Sequence, residues 1–249
     1  MKDSGLVKTV QFTSPKYVGD PINAVKIFNE KEVDELIVLD IDASAQSRSP
    51  DYVMIKNLAA ECRMPLCYGG GVRTVQQAEE IVGMGVEKVA ISSSAVDDPG
   101  LVTRMAEVVG SQSVAVVIDV KKTGIRQRYE ILTHNGTRST GRRPDEFSKE
   151  VQDLGAGEIV VNSIDNDGNM KGYDLDLVSD IRNSVTVPIT AIGGAGSLDD
   201  IRILIDRFGI VGAAAGSLFV FKGIYRAVLI NYPSRSEKDV LISSGCQEM

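Results

Sequence analysis

Short apolar runs alternate with amphipathic stretches along most of this chain. Leu36 to Leu39, Leu66 to Tyr68, Val89 to Ile91, Val114 to Ile118, and residues 159–162, 189–192 and 211–215 are brief and largely apolar, which predicts buried strands. Between them, apolar positions recur at helical spacing over 52–62, 75–82, 99–108, 144–154, 174–182 and 198–207. Upstream, Leu6 to Phe12 alternates weakly and leads into a polar loop. Gly19 or Asp20, followed by Pro21, then predicts a capped helix through Ala24, Ile27 and Phe28. Two segments break the rhythm. Residues 119–147 predict a hairpin-like excursion with a turn at Asn135-Gly136, and a short helix is predicted near 222–226.

Strands and helices in strict alternation, joined by short connections, predict a parallel sheet with right-handed crossovers. The chain also repeats itself. Pro65-Leu-Cys-Tyr-Gly-Gly-Gly71 and Pro188-Ile-Thr-Ala-Ile-Gly-Gly-Ala-Gly196 begin 123 residues apart, as do Glu35 and Glu158, which each open an apolar run ending near an aspartate. The next units, starting at Gly85 and Gly209, are offset by 124. Three matched units at nearly one offset predict a duplicated half-domain. Two such halves predict closure into a (β/α)8 TIM barrel, one domain spanning residues 1–249. Only seven barrel strands are found. The mate of Val114–Asp119 falls before Met1, so the first strand is expected to be missing or truncated.

Composition narrows the function classes. A net charge of −7 and a pI near 4.9 argue against nucleic acid, which demands a basic face. No apolar run reaches the ~20 residues of a bilayer span, and Met1-Lys-Asp-Ser-Gly5 is no signal segment, so a cytoplasmic protein is expected. Cys62, Cys67 and Cys246 lack metal-ligand spacing, and the single histidine, His134, sits in a turn-like Thr133-His-Asn-Gly136. Neither a metal site nor a Ser-His-Asp triad is predicted, and no cofactor is expected.

In barrels of this kind ligands bind at the C-terminal ends of the strands. Four tips fall there: Gly69-Gly70-Gly71, Ser92-Ser93, Gly193-Gly194 and Gly216-Ser217. Two tips from each half would form two anion cradles, which fits a ligand with a phosphate at each end. The plainer alternative is that these glycines only permit tight turns. Carboxylates gather at the same ends: Asp40, Asp42, Asp119, Asp165 and Asp167. Asp119 is the sharpest candidate for acid/base work, since it ends the run Val114-Ala-Val-Val-Ile118. At the opposite ends Glu35, Lys88 and Glu158 precede apolar strands. Surface charge is the ordinary explanation, but pointing inward they would meet at the barrel floor, where a charged cluster suits the passage of something polar.

These motifs resemble the cyclase subunit of imidazole glycerol phosphate synthase, the HisF family. The resemblance runs from Lys2-Asp3 to about Phe221. It rests on Asp34-Glu-Leu-Ile-Val-Leu-Asp40, Tyr68-Gly-Gly-Gly71, Gly110-Ser-Gln-Ser-Val114 leading to Asp119, Asn162-Ser-Ile-Asp-Asn-Asp-Gly168 and Gly193-Gly-Ala-Gly-Ser197. It implies a glutaminase bound at the N-terminal face. Ammonia would cross the barrel and attack a bisphosphorylated ribulosyl aminoimidazole substrate, giving imidazole glycerol phosphate and an aminoimidazole carboxamide ribotide. It further implies Asp119 as catalytic, and Gly70, Gly71, Ser92 and Ser93 at one phosphate. Asp167, Gly168, Gly193, Gly194, Gly216 and Ser217 would hold the other, with Glu35, Lys88 and Glu158 as an ammonia gate. Departures accompany it. The family's second catalytic aspartate and its gate arginine would both precede Met1, Ser92 stands where asparagine is usual, and the 124–143 excursion differs. Lys16–Pro21 and Arg226–Pro233 resemble a paralogous branch from surface-polysaccharide gene clusters, whose barrel would pass ammonia to a separate sugar amidotransferase. A sugar-phosphate isomerase of the same fold is a third reading.

Overall fold

The computed structural model describes residues 1–245; Cys246 lies outside the described residues. The first third of the chain contains β1 (Leu6–Val10), β2 (Thr13–Gly19), α1 (Pro21–Glu30), β3 (Leu36–Leu39), α2 (Tyr52–Glu61), β4 (Leu66–Gly69) and α3 (Val75–Gly83). Then come β5 (Lys88–Ile91), α4 (Ser93–Asp97), α5 (Gly100–Val109), β6 (Val114–Thr123), β7 (Arg128–Thr133), β8 (Arg138–Ser139) and α6 (Pro144–Asp153). The last part holds β9 (Glu158–Ser163), α7 (Leu175–Arg182), β10 (Ile189–Ile192), α8 (Leu198–Phe208), β11 (Gly212–Ala213), α9 (Ser217–Val220), β12 (Phe221–Lys222), β13 (Ala227–Val228) and α10 (Arg235–Gly245).

Seven strands, in the order β3-β4-β5-β6-β9-β10-β11, form one parallel sheet. Side chains alternate across it with period two. On β6, Val114, Val116 and Ile118 pack outward with Ile81, Met105, Phe147 and Ile181 of the helices, while Ala115 and Val117 join Cys67, Ala90 and Val160 inside. The sheet curls strongly. Glu35, just before β3, and Glu158, on β9, stand four strand spacings apart, about 19 Å on a flat sheet. Both nevertheless bond to the one Lys88 ammonium, and only a barrel-like curl brings them within its reach.

β3 and β11 are the two edges, and packing draws them together. Phe28 of α1, which leads into β3, packs into the cluster of Ile201, Leu204 and Phe219 on the β10–β11 side, as do Tyr232 and Leu241. Tyr232 and Lys238 also both bond to the Asp34 carboxylate beside β3, at 2.7 and 2.6 Å. Met1 lies against β3, its carbonyl accepting the Ile41 N–H at 3.1 Å.

The duplication extends to helix caps. Thr74 and Ser197, again 123 residues apart, cap α3 and α8 through reciprocal capping boxes with Gln77 and Asp200. Asp20 caps α1 with Pro21 in the first turn, as the sequence indicates.

Three expectations are corrected. The polar stretch after Phe12 is strand β2, paired antiparallel with β1. Its turn is made by Gln11 and Phe12, both left-handed (φ 51° and 60°), where hairpins usually place Asn-Gly, so the sequence carries no turn signal. No helix spans 222–226. α9 ends at Val220, where Phe221 is extended (φ −112°, ψ 145°), and the chain turns back at left-handed Gly223 (φ 72°) as the β12–β13 hairpin. The strand expected over 211–215 is regular only at Gly212 and Ala213. The hairpin excursion is present as an antiparallel extension of β6 by β7 and β8.

Replacing either capping hydroxyl, Thr74→Ala or Ser197→Ala, is expected to cost about 1 kcal/mol in urea unfolding, and the double variant about twice that, because the caps lie in separate halves.

Candidate functional site

The barrel interior is built in three levels. At the floor, the N-terminal ends of the strands, Lys88 Nζ lies 2.9 Å and 3.1 Å from the two Glu35 oxygens and 2.8 Å from Glu158 Oε2. Glu158 is buried, and its other oxygen accepts the Thr190 hydroxyl at 2.6 Å. Burial opposes the Lys88 charge, but the bonds from Glu158 and Glu35 outweigh it and hold the amine above its ordinary pKa. The middle level is apolar: Cys67, Ala90, Ala115, Val117 and Val160, with Ile37, Leu39 and Ile192 packed against them. Burial pushes the Cys67 thiol up, and the nearby Glu158 and Glu35 charges add to this, so it is a neutral wall group.

At the mouth the strands end on Asp119 and its register partner Asn162, whose Nδ2 donates to Asp119 Oδ1 at 2.8 Å. Asp119 faces a cavity of about 310 Å³ that Gly70, Gly71, Ser92, Ser93 and Asp167 also line. Desolvation raises the Asp119 carboxyl to about 6; the Asn162 bond opposes this, the Asp167 charge adds to it, and a Ser92 bond opposes it. A smaller adjoining hollow is lined by Asp167, Gly168, Gly193, Gly194, Gly216 and Ser217. All ten predicted anion-site residues therefore border one or other of two spaces, and Asp167 and Gly216 border both.

The glycines here are needed for space. A Cβ at Gly70 (φ 124°) would press into the Asp40 backbone, and one at Gly194 (φ 108°) would collide with the Gly172 carbonyl oxygen. The helices after the Ser92-Ser93 and Gly216-Ser217 tips are short, five and four residues.

Lys8 escaped the sequence reading. It stands on β1, borders both spaces, and its ammonium lies over Gly216, where a Cβ would collide with it. Burial lowers its pKa and the Asp167 charge raises it, with burial prevailing. The β1–β2 hairpin is pinned there by Asp167, which accepts the Thr9 hydroxyl at 2.8 Å and the Phe12 N–H at 3.3 Å. A lysine within the apolar alternation Val7-Lys8-Thr9-Val10 was the available signal. His134 also lines the larger cavity.

Other candidates are occupied structurally. Asp40 pairs with Arg48 at 3.2 Å, Asp42 with Lys2 at 3.4 Å, and Asp165 accepts the Lys122 N–H at 2.9 Å. Arg142 lies 4.5 Å over the Phe147 ring and pairs with Glu150, while Arg143 pairs with Asp145.

With this geometry in view, comparison with known proteins is specific. A family model described as "Histidine biosynthesis protein" matches residues 1–225. A protein of Vibrio vulnificus strain YJ016, provisionally named imidazole glycerol phosphate synthase subunit hisF3, is 60% identical over 238 residues, 96% of this chain and 92% of that protein. The imidazole glycerol phosphate synthase subunit HisF of Petrotoga mobilis is 39% identical over 227 residues, covering 91% and 89%. The chain belongs to the HisF family. A further HisF-type relative, from Leptospira borgpetersenii and also provisionally named, is 54% identical over 97% of this chain and 95% of its own length. Among the described residues, no helix is long and apolar enough to cross a membrane.

The Asp119 environment has a stability signature. Its folded pKa, about 6, exceeds the ~3.9 of an unfolded aspartate. The folded state thus binds the extra proton between pH 4 and 6, and stability falls as pH rises through that window. Asp119→Asn removes this loss. Relative to wild type it is expected to gain about 2 kcal/mol on going from pH 4 to pH 7.5 in paired urea titrations, somewhat less than two full pKa units because the cavity admits water.

Proposed function

We propose that this HisF-family chain is the ammonia-using cyclase subunit of an imidazole glycerol phosphate synthase, partnered by a glutaminase at the floor. Asp119 carries the reading. It is a carboxylate at a strand tip, desolvated to a pKa of about 6, bordering a cavity flanked by glycine and serine tips from both halves. A group with that pKa is mostly ionised at pH 7 and readily reprotonated, which suits alternate removal and return of a proton during ring closure and cleavage. Gly70, Gly71, Ser92 and Ser93 would receive one phosphate of a bisphosphorylated ribulosyl aminoimidazole. Gly168, Gly193, Gly194, Gly216 and Ser217 would receive the other. Lys8 supplies an amine beside the second site, with the Asp167 charge favouring its protonated form against burial. Ammonia released at the floor would pass Glu35, Lys88 and Glu158, then the Cys67–Ala90–Ala115 level, which offers it few competing bonds.

A second reading has its own support. Identity to relatives provisionally named hisF2 and hisF3 is 52% and 60%, against 38–40% for those named simply HisF. In this version the chain conducts ammonia from a glutaminase to a separate sugar amidotransferase and does not cyclise.

Turnover of the bisphosphate by the purified chain with ammonium chloride separates the two. The cyclase reading expects product formation that falls 10²-fold or more in Asp119→Asn, the scale of one general acid/base group. Tight binding of the bisphosphate without turnover by wild type would overturn cyclisation and leave the conduit.

A further inference from the structure

The two halves of the barrel match closely at the floor, and where they differ a fourth member of the charged cluster comes into view. Glu35 and Glu158 are repeat mates at an offset of 123. Cys67 and Thr190 are mates at the same offset, on β4 and β10. At the neighbouring offset of 124, Lys88 on β5 has as its mate Gly212 on β11. The second half therefore has no lysine of its own.

Lys88 gives both Glu35 oxygens a partner, but it reaches only Oε2 of Glu158. Glu158 Oε1 is left for the second half to satisfy, and the Thr190 hydroxyl does so at 2.6 Å. Glu158 is 8% exposed, so an unpaired oxygen there carries a full desolvation penalty. Gly212 makes this bond possible. Thr190 and Gly212 are register partners, and a Cβ on residue 212 would collide with the Thr190 hydroxyl. Gly212 has no left-handed backbone to explain it. Its lack of a side chain is explained by the oxygen lying over it. Threonine at 190 and glycine at 212 thus act as one unit in the place that Cys67 and Lys88 fill in the first half.

We propose that Thr190, seated over Gly212, is a positioning residue of the floor cluster. Its hydroxyl fixes the Glu158 carboxylate so that one oxygen always faces Lys88, and this arrangement governs passage of ammonia from the glutaminase face into the lumen. The inference rests on the proposed ammonia-conducting role. Thr190 lies at the floor, away from Asp119, so the variant should disturb nitrogen delivered through the barrel and leave nitrogen supplied at the mouth from bulk solvent untouched.

The test uses the complex of this chain with its glutaminase and the bisphosphorylated ribulosyl substrate. Two rates are measured for wild type, Thr190→Val, Thr190→Ser and Gly212→Ala: turnover with glutamine and turnover with ammonium chloride. Thr190→Val keeps shape and branching but loses the donor. It is expected to lower the product formed per glutamine hydrolysed by about tenfold, the equivalent of one hydrogen bond to a charged group. Its ammonium-driven rate should stay within about twofold of wild type, since the bond it lacks is far from the mouth. Thr190→Ser restores coupling, and Gly212→Ala, which displaces the hydroxyl without removing it, reproduces the loss. Unchanged coupling in Thr190→Val overturns the inference while the conduit stands. Parallel loss of both rates makes Thr190 merely structural and overturns it too. If wild type itself transfers no glutamine nitrogen, the conduit fails and the inference falls with it.

Discussion

The Lys88 ammonium lies 2.9 Å from Glu35 and 2.8 Å from Glu158, and those carboxylates belong to strands four places apart in one sheet. Much follows from that shared bond. It requires the sheet to curl and gathers three ionisable side chains at the floor, beneath a level of apolar groups. The cluster is half-open, with the Lys88 side chain 25% exposed and that of Glu35 35%. This limits its desolvation cost, and its value to stability is correspondingly modest. A closed hydrophobic floor would be simpler to build. Retaining charge there fits the proposed passage of ammonia through the barrel.

The duplicated halves are alike where geometry matters and differ where chemistry does. Capping boxes, strand starts and glycine tips recur at one offset, because each half must make the same turn from strand to helix. Along the axis the mates diverge: Lys88 opposes Gly212 and Cys67 opposes Thr190. At the mouth, Asn162, whose mate is Leu39, holds Asp119. A symmetric scaffold thus carries a desolvated carboxylate at the mouth and the Lys88 ammonium at the floor, each bonded by a residue of the second half.

Most of the architecture was legible because short apolar strands and amphipathic helices alternate along most of the chain. Val114–Asp119 shows the signal well: outward Val114, Val116 and Ile118 meet helices, and the inward residues are small until the aspartate. The repeat also brought Glu35 and Glu158 to one end of the barrel before any coordinates. What stayed hidden depends on backbone conformations and on partners distant in sequence. The Gln11-Phe12 turn uses left-handed residues that lack the usual chemistry, so β2 looked like loop and Lys8 was not placed at the mouth. Thr190 resembles any strand threonine until Glu158 and Gly212 are seen around it. Asp40 and Asp42 stand at strand ends as Asp119 does, and their pairing with Arg48 and Lys2 sets them further apart from it.

In the proposed function the barrel interior joins a charged floor to an acid/base mouth as one conduit. Isotopic competition tests it most directly. The glutaminase complex is supplied with amide-labelled [15N]glutamine and with unlabelled ammonium that exceeds the nitrogen released but is too dilute to drive turnover by itself. Product carrying predominantly the heavy isotope is the predicted result, since nitrogen delivered through the lumen never mixes with solvent. Product whose label merely matches the bulk ammonium pool would contradict it.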